Sequence, residues 1–202
     1  MTPATPPPLF SIVPLGLFGP LASANRAHYW LLLCRLLDEF FGPDEGEVGI
    51  ILQGGLYNGV MRALQQLGIA DVYGNTSVPL YVLNVSYPLV DDQVAEFCAG
   101  KKAVLMVEEG APEYIEQALN TILRRRDIQT KISGKDVLPM GGEYTAPVLV
   151  KGIKAFLETY SKALLGNQPP IPDPTPVLND DRVKALAEVV PPYFNRSYRH
   201  FS

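Results

Sequence analysis

"ILQGGLYNGVMRAL" runs from Ile51 to Leu64 and decides the fold. Read from Val48, "VGIILQ" is a short, continuously apolar strand of the kind buried on both faces. Two glycines follow, then apolar residues at helical spacing: Leu56, Val60 and Leu64, with Tyr57, Met61 and Leu67 beside them. A strand, a glycine turn and an amphipathic helix make the first half of a parallel β-α-β unit. The turn at Gln53, Gly54 and Gly55 has two readings. Free N–H groups at a helix start can receive phosphate or carboxylate. Yet "QGGLYNG" is neither the GxGxxG fingerprint nor a phosphate loop ending in Lys and Ser/Thr. The alternative is a plain turn, with Asn58 either reaching the strand ends or solvated.

The same grammar recurs downstream. "PLYVLNV" (Pro79 to Val85) predicts a second strand. Asp91 opens a helix with Val94, Phe97 and Cys98 inward. "KAVLMVEE" (Lys102 to Glu109) predicts a third strand. Pro112 falls early in the next helix, whose buried face is Ile115, Leu119, Ile122 and Leu123. "IQTKI" (Ile128 to Ile132) is a short extra strand. A long helix then buries Leu149, Ile153, Phe156, Leu157 and Tyr160, with Val148 at its start. Apolar strands alternating with amphipathic helices predict a three-layer α/β/α fold with a mainly parallel sheet.

Residues 1–24 form a Pro-rich extended arm, residues 25–166 the α/β domain, and residues 167–202 a Pro-rich linker with a short helical tail. The domain begins with a helix over 25–41, capped by Asn25 and stopped by Gly42-Pro43. Its residues Tyr29, Trp30, Leu33, Leu36, Leu37 and Phe40 offer more apolar surface than one sheet face covers. That surface predicts a homo-oligomer or a partner.

The chain has 202 residues and a formal charge of -4, which gives no reason to expect nucleic acid. Its two cysteines, Cys34 and Cys98, stand apart and read as reduced core thiols of a cytoplasmic protein. "YWLLLCRLL" is too short and too interrupted for a bilayer span, so no membrane is expected. His28 and His200 lack metal-ligand spacing. "NTS" (Asn75 to Ser77) is a glycosylation pattern without consequence in a cytoplasmic protein.

Chemistry-bearing side chains gather at predicted strand ends. Glu108 and Glu109 close the third strand, at the edge where parallel sheets place their sites. Each carboxylate can meet a cofactor or an interface cation, or simply satisfy the N–H groups of the next helix. Tyr87-Pro88 closes the second strand, with Tyr87 at an interface or merely before a strand-ending proline. Arg124, Arg125 and Arg126, with Lys131 and Lys135, make a basic patch that suits an anionic tail or just a helix C-terminus.

"QGGLYNGVMRALQQLGIADVYG", "VLNVSYPLVDDQV", "VEEGAPEYIEQAL" and "GKDVLPMGGEYTAPVL", in this order and spacing, resemble one family. It is the alpha subunit of indolepyruvate ferredoxin oxidoreductase, a thiamine-diphosphate-dependent 2-oxoacid oxidoreductase. The similarity runs from about Asn25 to Leu165 and falls on the middle, transketolase C-terminal-like domain. The resemblance implies a supporting domain of an enzyme that decarboxylates an aryl 2-oxoacid oxidatively to an acyl-CoA. Thiamine diphosphate, magnesium, coenzyme A and iron–sulfur clusters belong to the full enzyme, none of them to this chain. The implied partners are the missing thiamine diphosphate domains and an oxidoreductase beta subunit. After "PPYF" the family continues into a "CxGCP" segment, whereas this chain reads Asn195-Arg196-Ser197. No catalytic, cofactor-binding or metal-binding residue is therefore assigned. Gln53, Gly54, Gly55, Asn58, Tyr87, Glu108 and Glu109 are candidate site-edge or interface residues. The competing reading is a stand-alone domain that binds a partner or a small anion without redox activity.

Overall fold

A computed structural model describes residues 31–166 and Asp181. The chain divides into two units at Gly166–Asn167. The predicted linker, tail helix, N-terminal arm and Asn25 cap lie outside the described residues. In chain order the elements are α1 (described over 31–37), β1 (Glu39–Phe41), β2 (Val48–Gln53), α2 (Tyr57–Gln66) and β3 (Leu80–Leu83). Next come α3 (Asp91–Cys98), β4 (Ala103–Val107), α4 (Tyr114–Arg125), β5 (Lys131–Ser133) and α5 (Ala146–Tyr160).

The five strands form one sheet in the order β1-β3-β2-β4-β5. β2 pairs parallel with both β3 and β4, and β4 pairs parallel with β5. Ile51, Tyr81, Leu83, Val104 and Met106 face α3 and α4, together with Phe97, Ile115, Leu119 and Leu123. α2 packs against α5, on the opposite face. Gly59 permits that approach, since a Cβ there would come within 2.9 Å of Leu149 Cδ1. The result is three layers around a mostly parallel sheet, as the alternation of patterns predicts. Ile50, Ile51 and Leu52 are fully buried, each contributing about 1.5–3 kcal/mol of apolar burial.

Several boundaries differ from the sequence reading. The helix predicted over 25–41 stops at residue 37, and Glu39–Phe41 turns into an edge strand antiparallel to β3. The cause is Asp38. Its carboxylate accepts hydrogen bonds from the Tyr81 hydroxyl (2.9 Å) and from the N–H groups of Asn84 (2.9 Å) and Val85 (3.2 Å). The Asn84 amide donates to the Leu37 carbonyl at 2.7 Å and so satisfies the end of α1. Phe40 then stacks on Tyr81 with centroids 4.5 Å apart, a pairing that suits an aromatic strand residue. Burial pushes the Asp38 carboxyl above its usual range, against the pull of these hydrogen bonds. Burial, and then the Asp38 charge, pushes the Tyr81 phenol up in turn.

Pro112 lies before α4 rather than inside it, because the helix starts at Tyr114. β5 occupies Lys131–Ser133 instead of Ile128 to Ile132. Thr130 is held back by hydrogen bonds from its hydroxyl to the Cys98 and Lys101 carbonyls. In α5 Val150 is buried, while Val148 and Tyr160 are half-buried.

Candidate site at the carboxyl edge of the sheet

β2 sends its following helix to one face of the sheet, and β4 sends its helix to the other. The carboxyl ends of these neighbouring strands therefore flank a topological switch point, where open α/β sheets place their crevice. Gln53 stands at the end of β2 and Glu108-Glu109 just beyond β4. A cleft of about 610 Å³ opens there, with Gln53, Tyr87, Glu108, Glu109, Pro112 and Tyr114 among its walls.

The polar groups of this edge are already engaged with one another. Glu108 is 5% exposed. Its carboxylate accepts from the Ile115 N–H at 3.0 and 3.1 Å and from the Glu116 N–H at 3.1 Å. It thereby satisfies orphan donors at the start of α4 and puts a negative charge at the positive end of the helix dipole. Glu109 donates its N–H to Gln53 Oε1 at 2.9 Å, a clasp across the switch point. Its carboxylate accepts from the Tyr144 N–H at 2.6 Å.

A lysine outside the predicted set completes the edge. Lys135 Nζ donates to the Glu108 carbonyl (2.6 Å), the Gly110 carbonyl (2.8 Å) and the Tyr144 hydroxyl (2.7 Å). The Tyr144 hydroxyl donates onward to the Pro139 carbonyl at 2.7 Å. This corrects the basic patch, since Lys135 turns inward. Arg126 pairs with Asp92, and Lys131 lies over the Tyr160 ring, 5.4 Å from its centroid. Lys135 and Tyr144 both lie in "GKDVLPMGGEYTAPVL". Their main partners are backbone carbonyls, which carry no side-chain signature.

Of the candidate residues, Gln53, Tyr87, Glu108 and Glu109 share the cleft. Gly54, Gly55 and Asn58 do not line it. Gly54 is a packing glycine, because a Cβ there would collide with Asn84 Oδ1. Gly55 has open space in that direction, and Asn58 is exposed. Tyr87 and Tyr114 flank the cleft at 86% and 69% exposure. With both Glu108 oxygens and one Glu109 oxygen accepting backbone N–H groups, this edge holds loops in place and has Tyr87 and Tyr114 exposed at its rim.

Among the described residues no group of three or more His, Cys, Asp or Glu is placed to hold a metal ion. Glu108, with both oxygens engaged, does not fit a magnesium–diphosphate group, which needs free carboxylate and amide oxygens. The chain's two cysteines are both buried and fall short of the four thiolates an iron–sulfur cluster takes. Burial pushes the Cys98 thiol up to about 12, with Lys101 opposing. No helix among the described residues is long and apolar enough to cross a membrane.

Fold and crevice together define a three-layer α/β domain with its switch point at β2 and β4. Within that class, the chain is similar to indolepyruvate oxidoreductase subunit IorA. It is 32% identical to the Methanothermobacter thermautotrophicus protein over 142 residues, covering 69% of this chain and 22% of that protein. It is 30% identical to the Pyrococcus abyssi protein over 175 residues, covering 82% of this chain and 24% of that protein. The chain thus spans under a quarter of the length of these relatives. No family model matches it.

Proposed function

We propose that this chain is the transketolase C-terminal-like supporting domain of an indolepyruvate, or aryl 2-oxoacid, ferredoxin oxidoreductase, present as a domain or a split subunit. The observation that carries the reading is the similarity to IorA over most of this chain and under a quarter of each relative. The engaged carboxyl edge supports it, since a clasped crevice with exposed aromatic rims suits docking better than acid–base chemistry. In this reading the domain spans residues 25–166 and works in the cytoplasm. Thiamine diphosphate, magnesium, coenzyme A and iron–sulfur clusters are held by other parts of the assembled enzyme. That enzyme converts an aryl 2-oxoacid to an acyl-CoA. Its thiamine diphosphate domains and beta subunit are this chain's partners, and Tyr87 and Tyr114 meet one of them.

The test is a reconstitution. The chain is assayed alone and mixed with thiamine-domain and beta-subunit polypeptides of a related oxidoreductase. The assay supplies 2-oxoacid, coenzyme A, thiamine diphosphate, magnesium and a viologen acceptor. Turnover only in the mixture, raised by adding this chain, is the expected result. Turnover by the chain alone, or a mixture indifferent to it, overturns the proposal.

A further inference from the structure

A second cleft, of about 460 Å³, opens at the opposite, amino-terminal edge of the sheet, between β1, the start of β3 and α3. Its Pro79, Leu80 and Lys101 lie where β3 and β4 begin, and it shares no lining residue with the Gln53–Glu109 crevice. Among the described residues, one of its polar groups lacks the partner that burial normally demands. Gln93 is only 8% exposed, and among the described residues its Oε1 has no donor. The other half of that amide is fixed, because Nε2 donates to the Arg35 carbonyl at 3.2 Å. Turning the amide over would set oxygen against oxygen, so the unmatched group is an acceptor. Lys101 is 9% exposed, and its ammonium lies over the face of Phe97, 4.6 Å from the ring centroid.

The rest of the lining narrows what fits. Arg35 adds a second cation, and Asp44 and Glu96 add two carboxylates. Formal charge in the cleft therefore balances, which disfavours a phosphate dianion or a polyamine. Phe40 and Phe97 supply an apolar floor, with centroids 6.2 Å apart. A matching molecule carries a carboxylate for Lys101 and Arg35. It carries an N–H donor for Gln93 Oε1, with Glu96 or Asp44 behind it, and an apolar group for the aromatic floor. We propose that this cleft binds a small zwitterion of the α-amino acid type with an apolar or aromatic side chain. The geometry rests on Gln93, Lys101 and Phe97 and is independent of the role assigned to the carboxyl edge.

The experiment is isothermal titration of the full chain with L-phenylalanine and L-leucine. 3-Phenylpropionate, which lacks the ammonium, and 2-phenylethylamine, which lacks the carboxylate, serve as comparators. Saturable binding on the order of 1 mM or tighter is expected for an amino acid, with each comparator weaker by about tenfold or more. Lys101→Met is expected to weaken the amino acid by about tenfold while leaving 2-phenylethylamine unchanged. Absence of saturable binding, or comparators equal to the amino acids, overturns the proposal. So does a folded Lys101→Met that binds the amino acids undiminished. If Lys101→Met does not fold, the wild-type ranking of amino acids over comparators decides alone.

Discussion

Replacing Glu108 tests whether the carboxyl edge is a structural clasp or a free reactive pair. In Glu108→Ala the Ile115 and Glu116 N–H groups lose the carboxylate they share. Losing a capping side chain costs about 1 kcal/mol, and a buried donor left unmatched costs about 1–3 kcal/mol. Removing the charge from the helix dipole adds about 0.5 kcal/mol. Water reaches part of this edge, so the sum settles at about 2–4 kcal/mol. That is a large share of the roughly 5–15 kcal/mol that holds a domain together. Glu108→Gln keeps one acceptor oxygen but turns an amide donor toward the other N–H, so about 1–2 kcal/mol is expected. Urea unfolding followed by far-ultraviolet circular dichroism measures both variants. Native-state hydrogen exchange adds a local readout, with the Ile115 and Glu116 amides accelerating most. A loss under about 0.5 kcal/mol in Glu108→Ala, with unchanged exchange at Ile115, would refute the clasp.

Lys135→Met should destabilise the fold by about 2–3 kcal/mol, because carbonyls of two loops lose a charged donor; urea titration checks it, and a neutral result would place the ammonium elsewhere. Asp38→Ala should cost about 2–4 kcal/mol by stranding the Tyr81 hydroxyl and two N–H groups, whereas Asp38→Asn should cost less than half as much. Cys98 sets an alkaline dependence. Its folded thiol sits near about 12 against an ordinary 9.0, so its contribution is whole below pH 9 and is lost as pH rises toward 12. Stability should fall with a limiting slope of about 1.4 kcal/mol per pH unit for this group within that window. Tyr81 acts in the same direction, and Cys98→Ala should flatten the slope. Gly54→Ala should lower stability by forcing Asn84 aside, whereas Gly55→Ala should be near neutral; thermal melts of the pair separate them.

What could be read without coordinates follows the range of the forces involved. β2 was legible to the residue because Val48 to Leu52 is buried throughout, and a continuous apolar run has one cheap home. The inward face of α4 was legible because Ile115, Leu119, Ile122 and Leu123 repeat at helical spacing. The end of α1 was not. Asp38 finds its partners at Tyr81, Asn84 and Val85, more than forty residues away, and nothing local distinguishes it from an ordinary helical aspartate. Among the candidate residues, strand-end position put Gln53, Glu108 and Glu109 at one edge, and the three line one cleft. Position could not reveal which were already engaged, because the donors involved are mostly backbone N–H groups. Lys135 escaped for the same reason from the acceptor side.

The reversed edge strand also sets how this domain carries load. Leu37 sits beside Asn84, where β3 ends, whereas Tyr160 and Ser161 are fastened to Lys102 and Glu47, where β4 and β2 begin. Leu37 and Ser161 are therefore anchored at opposite ends of the sheet, along the strand direction. Tension between these points drags β1 lengthwise past β3 and shears their hydrogen bonds together instead of peeling them one at a time. Those bonds then share the load, so the β1–β3 pairing resists a pull along the strands better than one across them.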